Sequence, residues 1–563
     1  WDAAGQAARG FDDPGLKDPA LTGEFTINGV TCKPAFQVLK EHVMQYTPEW
    51  AESICGIPSE TIRRITREFV ENARIGSTIR IEGIDLPYRP VDIVIGRPVE
   101  SGVHSYQNIL AQHILVSLVG ALERVGGHLG GYAEPTAYDH GVNAGADGTP
   151  EPASHPFTWP PVSWDVCETF VPFTKVWGHS SHLLFVNMVN PPPNLPLPPQ
   201  PEAYLRFRNN CVLSLGQPDL VIEALKKIPF IISIAYTYDE VTQLADIVLP
   251  DLTELERYDV IVPDRKLGSG RRIRGILLRQ PVVEPPPGNR DIADILTELA
   301  DRIGFLDEYN RMINIRFKLT GPYKLEPGKK YDWVDIVNRW CLSLTDGEHD
   351  LEWFKLHGGI LTPSDVREQY DVYFKMTGEK IRFPLPYMNV VKTVGENLAS
   401  NLEKVGVDWW PTREYVALPT YVNSILDTVP PEYDLFVITC RLPQFSNSSN
   451  ADSALLNEVA QQVPGQQEIL MNSGTAESKG FKEGDEVWVE SPVGKVKGVI
   501  TLSNGIRPDT ILMAGQFGQF LTPIARDTGR VSVNVLTPIS YEWTDQVTGT
   551  MQSTIKAKVY KAR

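Results

Sequence analysis

A chain of 563 residues is longer than one hydrophobic core serves and predicts three or four domains. Hydrophobic residues at 42% and charged residues at 22% exclude a disordered chain, and a net charge of -17 disfavours non-specific attraction to nucleic acid or anionic lipid. No run of about twenty apolar residues occurs, which excludes a direct membrane span; the best stretch, residues 109–122, is short and contains Gln112 and His113.

In chain order, helices are predicted over 35–44 and 59–72, the second with Ser59 as its cap. A strand follows over 77–81, where Ile79 and Ile81 alternate with Thr78 and Arg80. A helix over 105–122 ends in the series Gly126-Gly127-His128-Leu129-Gly130-Gly131. Residues 132–177 are rich in Pro, Gly, Trp and Thr with little periodicity, the composition of a binding or lid loop. A strand over 183–189 runs into Asn190-Pro191; a helix over 220–227 and strands over 230–234 and 244–249 come next. That spacing suits a parallel sheet with crossover helices, in which ligands sit at the carboxyl ends of strands.

The run Arg271, Arg272, Ile273, Arg274 reads as a local basic groove or, more plainly, a solvated loop, and residues 283–288 as a proline-rich hinge before a helix over 291–303. Residues 306–415 mix helices with aromatic-rich loops. Beyond Val429-Pro430-Pro431 the chain turns to strands, over 435–440, 486–490, 495–502, 510–513 and 554–560, with Gly480, Gly484, Gly494 and Gly505 at the turns. These predict a β-barrel. The expected domains are 1–125, 126–305, 306–430 and 431–563.

Read on residues alone, the chemistry is faint. There is no P-loop, nucleophile elbow or His-Glu-x-x-His zinc helix, and His179 and His182 are the only close histidines. Cys32, Cys55, Cys167, Cys211, Cys341 and Cys440 lack the spacing of a zinc ribbon or an iron–sulfur cluster and read as reduced, packed thiols. No residue stands out as catalytic or as a metal ligand. The aromatics Phe157, Trp159, Trp164, Phe170, Phe173 and Trp177, with Trp409 and Trp410, either line a substrate funnel or pack a long loop.

A resemblance enters through six ordered segments. They are Tyr46-Thr47-Pro48-Glu49-Trp50-Ala51-Glu52 with Gly56 to Ile62; Leu118-Val119-Gly120 with the Gly126 to Gly131 turn; and Phe185-Val186-Asn187-Met188-Val189-Asn190-Pro191. Then come Ala245-Asp246-Ile247-Val248-Leu249-Pro250 with Thr253, Glu254 and Glu256; Asn472 and Ala476 with Gly484-Asp485-Glu486-Val487, Ser491-Pro492 and Gly494; and Asn534-Val535-Leu536-Thr537. In this order the chain resembles the dimethyl sulfoxide reductase superfamily over nearly its whole length, and the phenylacetyl-CoA:acceptor oxidoreductases are the nearest in character.

The resemblance implies an α/β multidomain fold, with doubly wound α/β domains around a cofactor plus a C-terminal β-barrel domain that binds dinucleotide. The cofactor it implies is Mo or W bis-molybdopterin guanine dinucleotide, bound through Asn190, Asn534, Arg441, Gly102, His104 and Gln107. Asp246 either joins them or fixes its own loop. The family has an Asp in the strand before residues 245–250; here Tyr236-Thr237-Tyr238-Asp239 leaves only Asp239 as a substitute.

Implied partners are an N-terminal polypeptide of the same enzyme, whose absence the start at Trp1 suggests, and a ferredoxin-like iron–sulfur subunit, with room for a membrane-anchor subunit. The iron–sulfur cluster is expected in a partner or in that N-terminal segment. The location implied is cytoplasmic, membrane-associated through partners, with the periplasm left open. The function implied is two-electron oxidation or reduction of a small substrate, an aromatic acyl-CoA among the candidates. A metal-free scaffold and a redox-neutral hydratase are the alternatives.

Overall fold

The computed structural model describes residues 1–10, 12–94, 101–129, 142–144, 150–152, 157–172, 179–262, 264–266, 272–370, 373–374, 385–445, 447–462 and 469–562. Gly130, Gly131, Phe173, Trp177 and Arg271 lie outside them.

A short antiparallel hairpin, Phe25–Ile27 with Val30–Cys32, precedes three helices, Ala35–Val43, Pro48–Cys55 and Ser59–Asn72. Thr47 caps the second, accepting from the Trp50 amide at 3.2 Å, and Pro48 suits its first turn. Ser59 does not cap the third. Pro58 occupies the cap position, and the Ser59 amide donates to Glu52 Oε2 at 2.9 Å. The strand Thr78–Ile81 pairs antiparallel with Ile84–Pro87 as a hairpin. Helix α1 (Ser105–Leu118) stops four residues before the expected end, at Val119 and the left-handed Gly120.

Residues expected as a strand over 183–189 form a helix, α2 (His182–Val189). An unbroken apolar run serves a buried strand or a buried helix equally, so its periodicity carries no information. Leu183, Phe185, Val186 and Met188 are all buried. The strand that the sheet requires is β1 (Ala203–Phe207), where Tyr204 and Arg206 point inward and Leu205 and Phe207 outward.

Two short helices follow, α3 (Cys211–Ser214) and α4 (Pro218–Leu225), then β2 (Phe230–Ala235) and β3 (Ile247–Pro250). The three strands are parallel in the order β1-β2-β3, with Ala203 opposite Phe230 and Ile232 opposite Ile247. Helices α2 and α4 cover one face; their core takes in Phe170, Leu183, Val221, Leu225 and Ile231 and reaches to Leu398, Leu402, Ile539 and Val547.

Residues 259–362 build a separate antiparallel sheet and helices around Val260, Trp333, Ile336 and Phe354. Arg272–Arg279 is a strand of that sheet and Arg274 pairs with Glu368, so the basic run is not a solvated loop. The helix expected over 291–303 spans Ile292–Ile303, with Asp291 as its cap through the Ala293 amide.

The last region is a closed six-stranded barrel. Its strands are β4 (Leu435–Cys440), β5 (Ile469–Met471), β6 (Glu486–Glu490), β7 (Lys495–Leu502), β8 (Thr510–Ala514) and β9 (Ile555–Lys561), in the order β4-β8-β5-β7-β6-β9. Pairs β4·β8 and β5·β7 are parallel and the others antiparallel. Val437, Met471, Val487, Val489, Ile500, Ile511 and Ala557 fill it. Strand β5, unforeseen, is three residues long, too short to display alternation.

Candidate functional site

Strands β1 and β2 end side by side, and a cleft of about 300 Å³ opens beyond their carboxyl ends. Its wall on the sheet side is Arg206, Arg208, Asn209, Asn210 and Ser214 with Tyr236, Thr237 and Asp239. Residues 447–449, Asp452, Gln519 and Thr522, from loops that follow β4 and β8, close the other side. Arg208 takes a left-handed backbone, φ 51°, as the chain leaves β1. Its guanidinium lies over the rings of Phe207 and Tyr236 and pairs with Asp251 at 2.5 Å and with Glu254.

Beneath the cleft Arg206 is 1% exposed. It donates to Ser233 Oγ at 2.8 Å, Thr242 Oγ1 at 3.0 Å and the Asn209 carbonyl at 2.8 Å, and it pairs with Asp239. The other Asp239 oxygen accepts the Thr242 amide at 3.0 Å. The Asp239 carboxylate is therefore engaged in holding Arg206. Buried Glu240 ties the two walls together: Oε1 accepts the Phe520 and Leu521 amides at 2.7 and 3.1 Å, and Oε2 accepts Asn210 Nδ2 at 2.7 Å. Three buried oxygens of the lining, Asn210 Oδ1, Gln519 Oε1 and Thr522 Oγ1, have no hydrogen-bond partner. Buried oxygens left open beside amides and hydroxyls fit a polar ligand whose edge carries hydrogen-bond donors.

The residues expected from sequence fall in four places. Asn534 braces the cleft from below: Nδ2 donates to the Leu213 carbonyl at 2.6 Å and its own carbonyl accepts the Gln217 amide at 3.1 Å, beside Ser214. Arg441 is exposed directly after β4, on the approach to the 447–449 loop. Asn190 is exposed at the end of α2 rather than at a strand end, because the segment before it is helical. The position at the strand end belongs to Asn209 and Asn210, which sequence reasoning missed; the alternation of Ala203 to Phe207 before the double Asn was the available signal. Asp246 lies at the amino end of β3, away from the cleft, where its carboxylate accepts the Ile231 amide at 2.7 Å and fixes the loop.

Gly102, His104 and Gln107 do come together, at a second place. The Val103 amide donates to Gln552 Oε1 at 2.7 Å, and a side chain at Gly102 would crowd that same oxygen. Gln107 donates to the Glu414 carbonyl at 3.1 Å and accepts the Thr420 amide at 2.9 Å. His104 Nδ1 is 2.8 Å from Glu414 Oε1, and Nε2 is 3.1 Å from the Asn423 carbonyl. Burial pulls the His104 imidazole down, but Glu414, the Asn423 carbonyl and the charge of Asp545 outweigh it and leave it above the usual histidine range. Burial, with the charge of Glu414 adding to it, pushes the Asp545 carboxyl up.

The described aromatics do not line a funnel as a group. Phe170 and Trp410 are buried, Phe170 and Trp409 lie 5.2 Å apart, and both tryptophans pack edge-on against Tyr541 within the α/β core. Burial pushes the Cys211 thiol up to about 11 and Cys341 up to about 12, which suits inert packed thiols. Cys55, expected to be packed, is exposed at the end of its helix. Among the described residues no group of three or more His, Cys, Asp or Glu is arranged to hold a metal ion.

Comparison with known proteins gives two family matches, molybdopterin oxidoreductase over residues 92–302 and molydopterin dinucleotide binding domain over residues 435–554. The chain is 25% identical to a sulfite dehydrogenase subunit of Allochromatium vinosum over 91% of its length, and 24% identical to the thiosulfate reductase molybdopterin-containing subunit PhsA of Salmonella typhimurium over 86%. It spans 58% and 57% of the length of those relatives. Acetylene hydratase from Pelobacter acetylenicus shares the fold, with a TM-score of 0.59 at 18% identity, covering 94% of this chain and 66% of that one.

Proposed function

Because the chain belongs to the molybdopterin oxidoreductases of the dimethyl sulfoxide reductase superfamily, we propose that it is the cofactor-holding bulk of a molybdenum or tungsten oxidoreductase. When bound, the bis-pterin guanine dinucleotide group supplies the two-electron redox centre. The observation that carries this reading is the cleft at the carboxyl ends of β1 and β2, closed by loops of the barrel. Asn209, Asn210, Ser214 and Thr237 would hold one dinucleotide from the sheet side and Ser448, Ser449, Gln519 and Thr522 from the barrel side. Arg208, paired with Asp251 and Glu254, fixes the strand-end loop on the sheet side, and Glu240 keeps the two walls in register.

Elemental and nucleotide analysis of the purified protein tests the proposal. We expect about one Mo or W and two guanine nucleotides per chain; neither metal and no GMP on acid hydrolysis would leave a scaffold. Acceptor-dependent turnover, starting with sulfite, thiosulfate and phenylacetyl-CoA, separates redox chemistry from hydration.

The reading includes partners. A parallel sheet is ordinarily covered on both faces, yet Leu205, Phe207, Phe230 and Ile247 on the outer face are each 38–46% exposed. This supports an N-terminal polypeptide of the same enzyme lying over that face, with the iron–sulfur cluster held there or in a ferredoxin-like subunit. No helix among the described residues is long and apolar enough to cross a membrane.

A further inference from the structure

The second polar cluster carries an inference of its own. Glu414 and Asp545 are both fully buried. Glu414 Oε1 receives Gln546 Nε2 at 3.0 Å and lies 2.8 Å from His104 Nδ1. Asp545 Oδ1 accepts the amides of Val547 and Thr548 at 3.0 and 2.7 Å and the Thr548 hydroxyl at 2.9 Å. Thr548 and Thr550 in turn meet the Ser105 hydroxyl at 2.9 and 3.1 Å. One oxygen of each carboxylate, Glu414 Oε2 and Asp545 Oδ2, and His104 Nδ1 are buried without a hydrogen-bond partner, so His104 and Glu414 meet as an ion pair and not through a directed hydrogen bond. His104 itself has a left-handed backbone, φ 74°, at the mouth of α1, a conformation that needs its surroundings to hold it.

Both ring nitrogens of His104 face acceptors, a carboxylate and a backbone carbonyl. A neutral imidazole has one N–H only, so one of the two contacts would set a lone pair against an oxygen. The doubly protonated ring donates Nε2–H to the Asn423 carbonyl, keeps no lone pair against Glu414, and brings a positive charge to two buried carboxylates.

We propose that His104, Glu414 and Asp545 form a buried clamp in which an imidazolium His104 fastens the 101–107 loop to the 414–423 and 545–552 segments. His104 and Gln107 are then positioning residues. Their polar atoms are engaged with protein, and they set the backbone of the 101–107 loop, which the family resemblance brings toward the cofactor. The inference rests on the proposed function only for this last point. The titratable groups facing His104 are Glu414 and Asp545, and an opposite charge at this range moves a histidine by about one to three pH units.

The test is the protonation state of His104 in the full chain, read from the ring-nitrogen resonances of ¹⁵N-histidine-labelled protein across pH and assigned by His104→Asn. We expect both nitrogens to carry protons at about pH 7, above the ordinary histidine midpoint. Glu414→Gln should lower the midpoint by about one to three pH units, and Asp545→Asn by less, in the same direction. A bare Nδ1 in the unaltered protein near pH 7, or a midpoint that Glu414→Gln leaves in place, overturns the clamp. Should Glu414→Gln not fold, the titration of the unaltered chain decides alone. A chain without metal or guanine nucleotide would defeat the proposed function and leave this measurement standing.

Discussion

Arg206 carries a full charge into the α/β unit, and its stability rests on one carboxylate. Removing one member of a buried pair costs about 3–5 kcal/mol because the other is left uncompensated. Asp239→Ala should lose that much in urea melts, and adding Arg206→Met should recover most of it; a single-variant loss below about 1 kcal/mol would mean that water reaches the guanidinium. Asn534→Ala leaves the Leu213 carbonyl unpaired at the base of the cleft, at a cost of about 1–3 kcal/mol. The GMP content of that variant should fall further than its Tm does. His104 gives a pH dependence whose sign is fixed. Its pKa is raised on folding, so its contribution is complete below the unfolded value near 6.5 and disappears as pH rises through the folded one. The Tm gap between unaltered protein and His104→Asn should therefore narrow above neutrality. At this scale the sequence showed residue types but not their destinations. Asn190, Asn209 and Asn210 are equal as letters, and only the pairing of β1 with β2 decides which asparagines reach the cleft.

The turn at 533–537 is wedged between two glycines. A Cβ on Gly216, in the corner between α3 and α4, would enter the van der Waals envelope of the Thr537 carbonyl, and one on Gly494, in the β6–β7 hairpin, that of Val535. Gly216→Ala and Gly494→Ala should each cost about 1–3 kcal/mol by overpacking. Gly505→Ala, which would meet only the Ser503 hydroxyl at 3.5 Å and has an ordinary backbone, should stay within about 0.5 kcal/mol. Calorimetry on the three variants checks this, and equal melting of all three would show that the turn gives way. Element by element, the strands β4, β6, β7, β8 and β9 were legible because a barrel alternates inward and outward residues. Helix α2 was not, since total burial erases period. Nor was the hairpin at Thr78–Ile81, because its partner strand is four residues with a proline at its end.

At the scale of the whole molecule, apolar side chains among the described residues stand exposed in patches. Beyond the sheet face, the helix Ser59–Asn72 buries no residue, and Ile65, Val70, Ile75 and Ile79 stand exposed around it. The chain expressed alone should associate with itself as concentration rises, as light scattering after gel filtration will show. Leu205→Ser with Ile247→Thr should reduce that association with little loss of Tm, and a chain monomeric throughout would argue against a covering partner. One path of the backbone has a kinetic consequence. After Leu536 the chain quits the barrel, lodges Ile539, Tyr541 and Val547 in the α/β core, and only then returns as β9 to close the ring against β4 and β6. Both units thus wait for the same closing stretch to leave the ribosome. At about 5–20 residues per second, the nascent core begun around Phe170 stays without its final wall for roughly 20–75 s. A chain made this way leaves apolar surface of that core uncovered until synthesis is nearly done, and a stop codon after residue 536 would spoil a domain whose other residues had all been made.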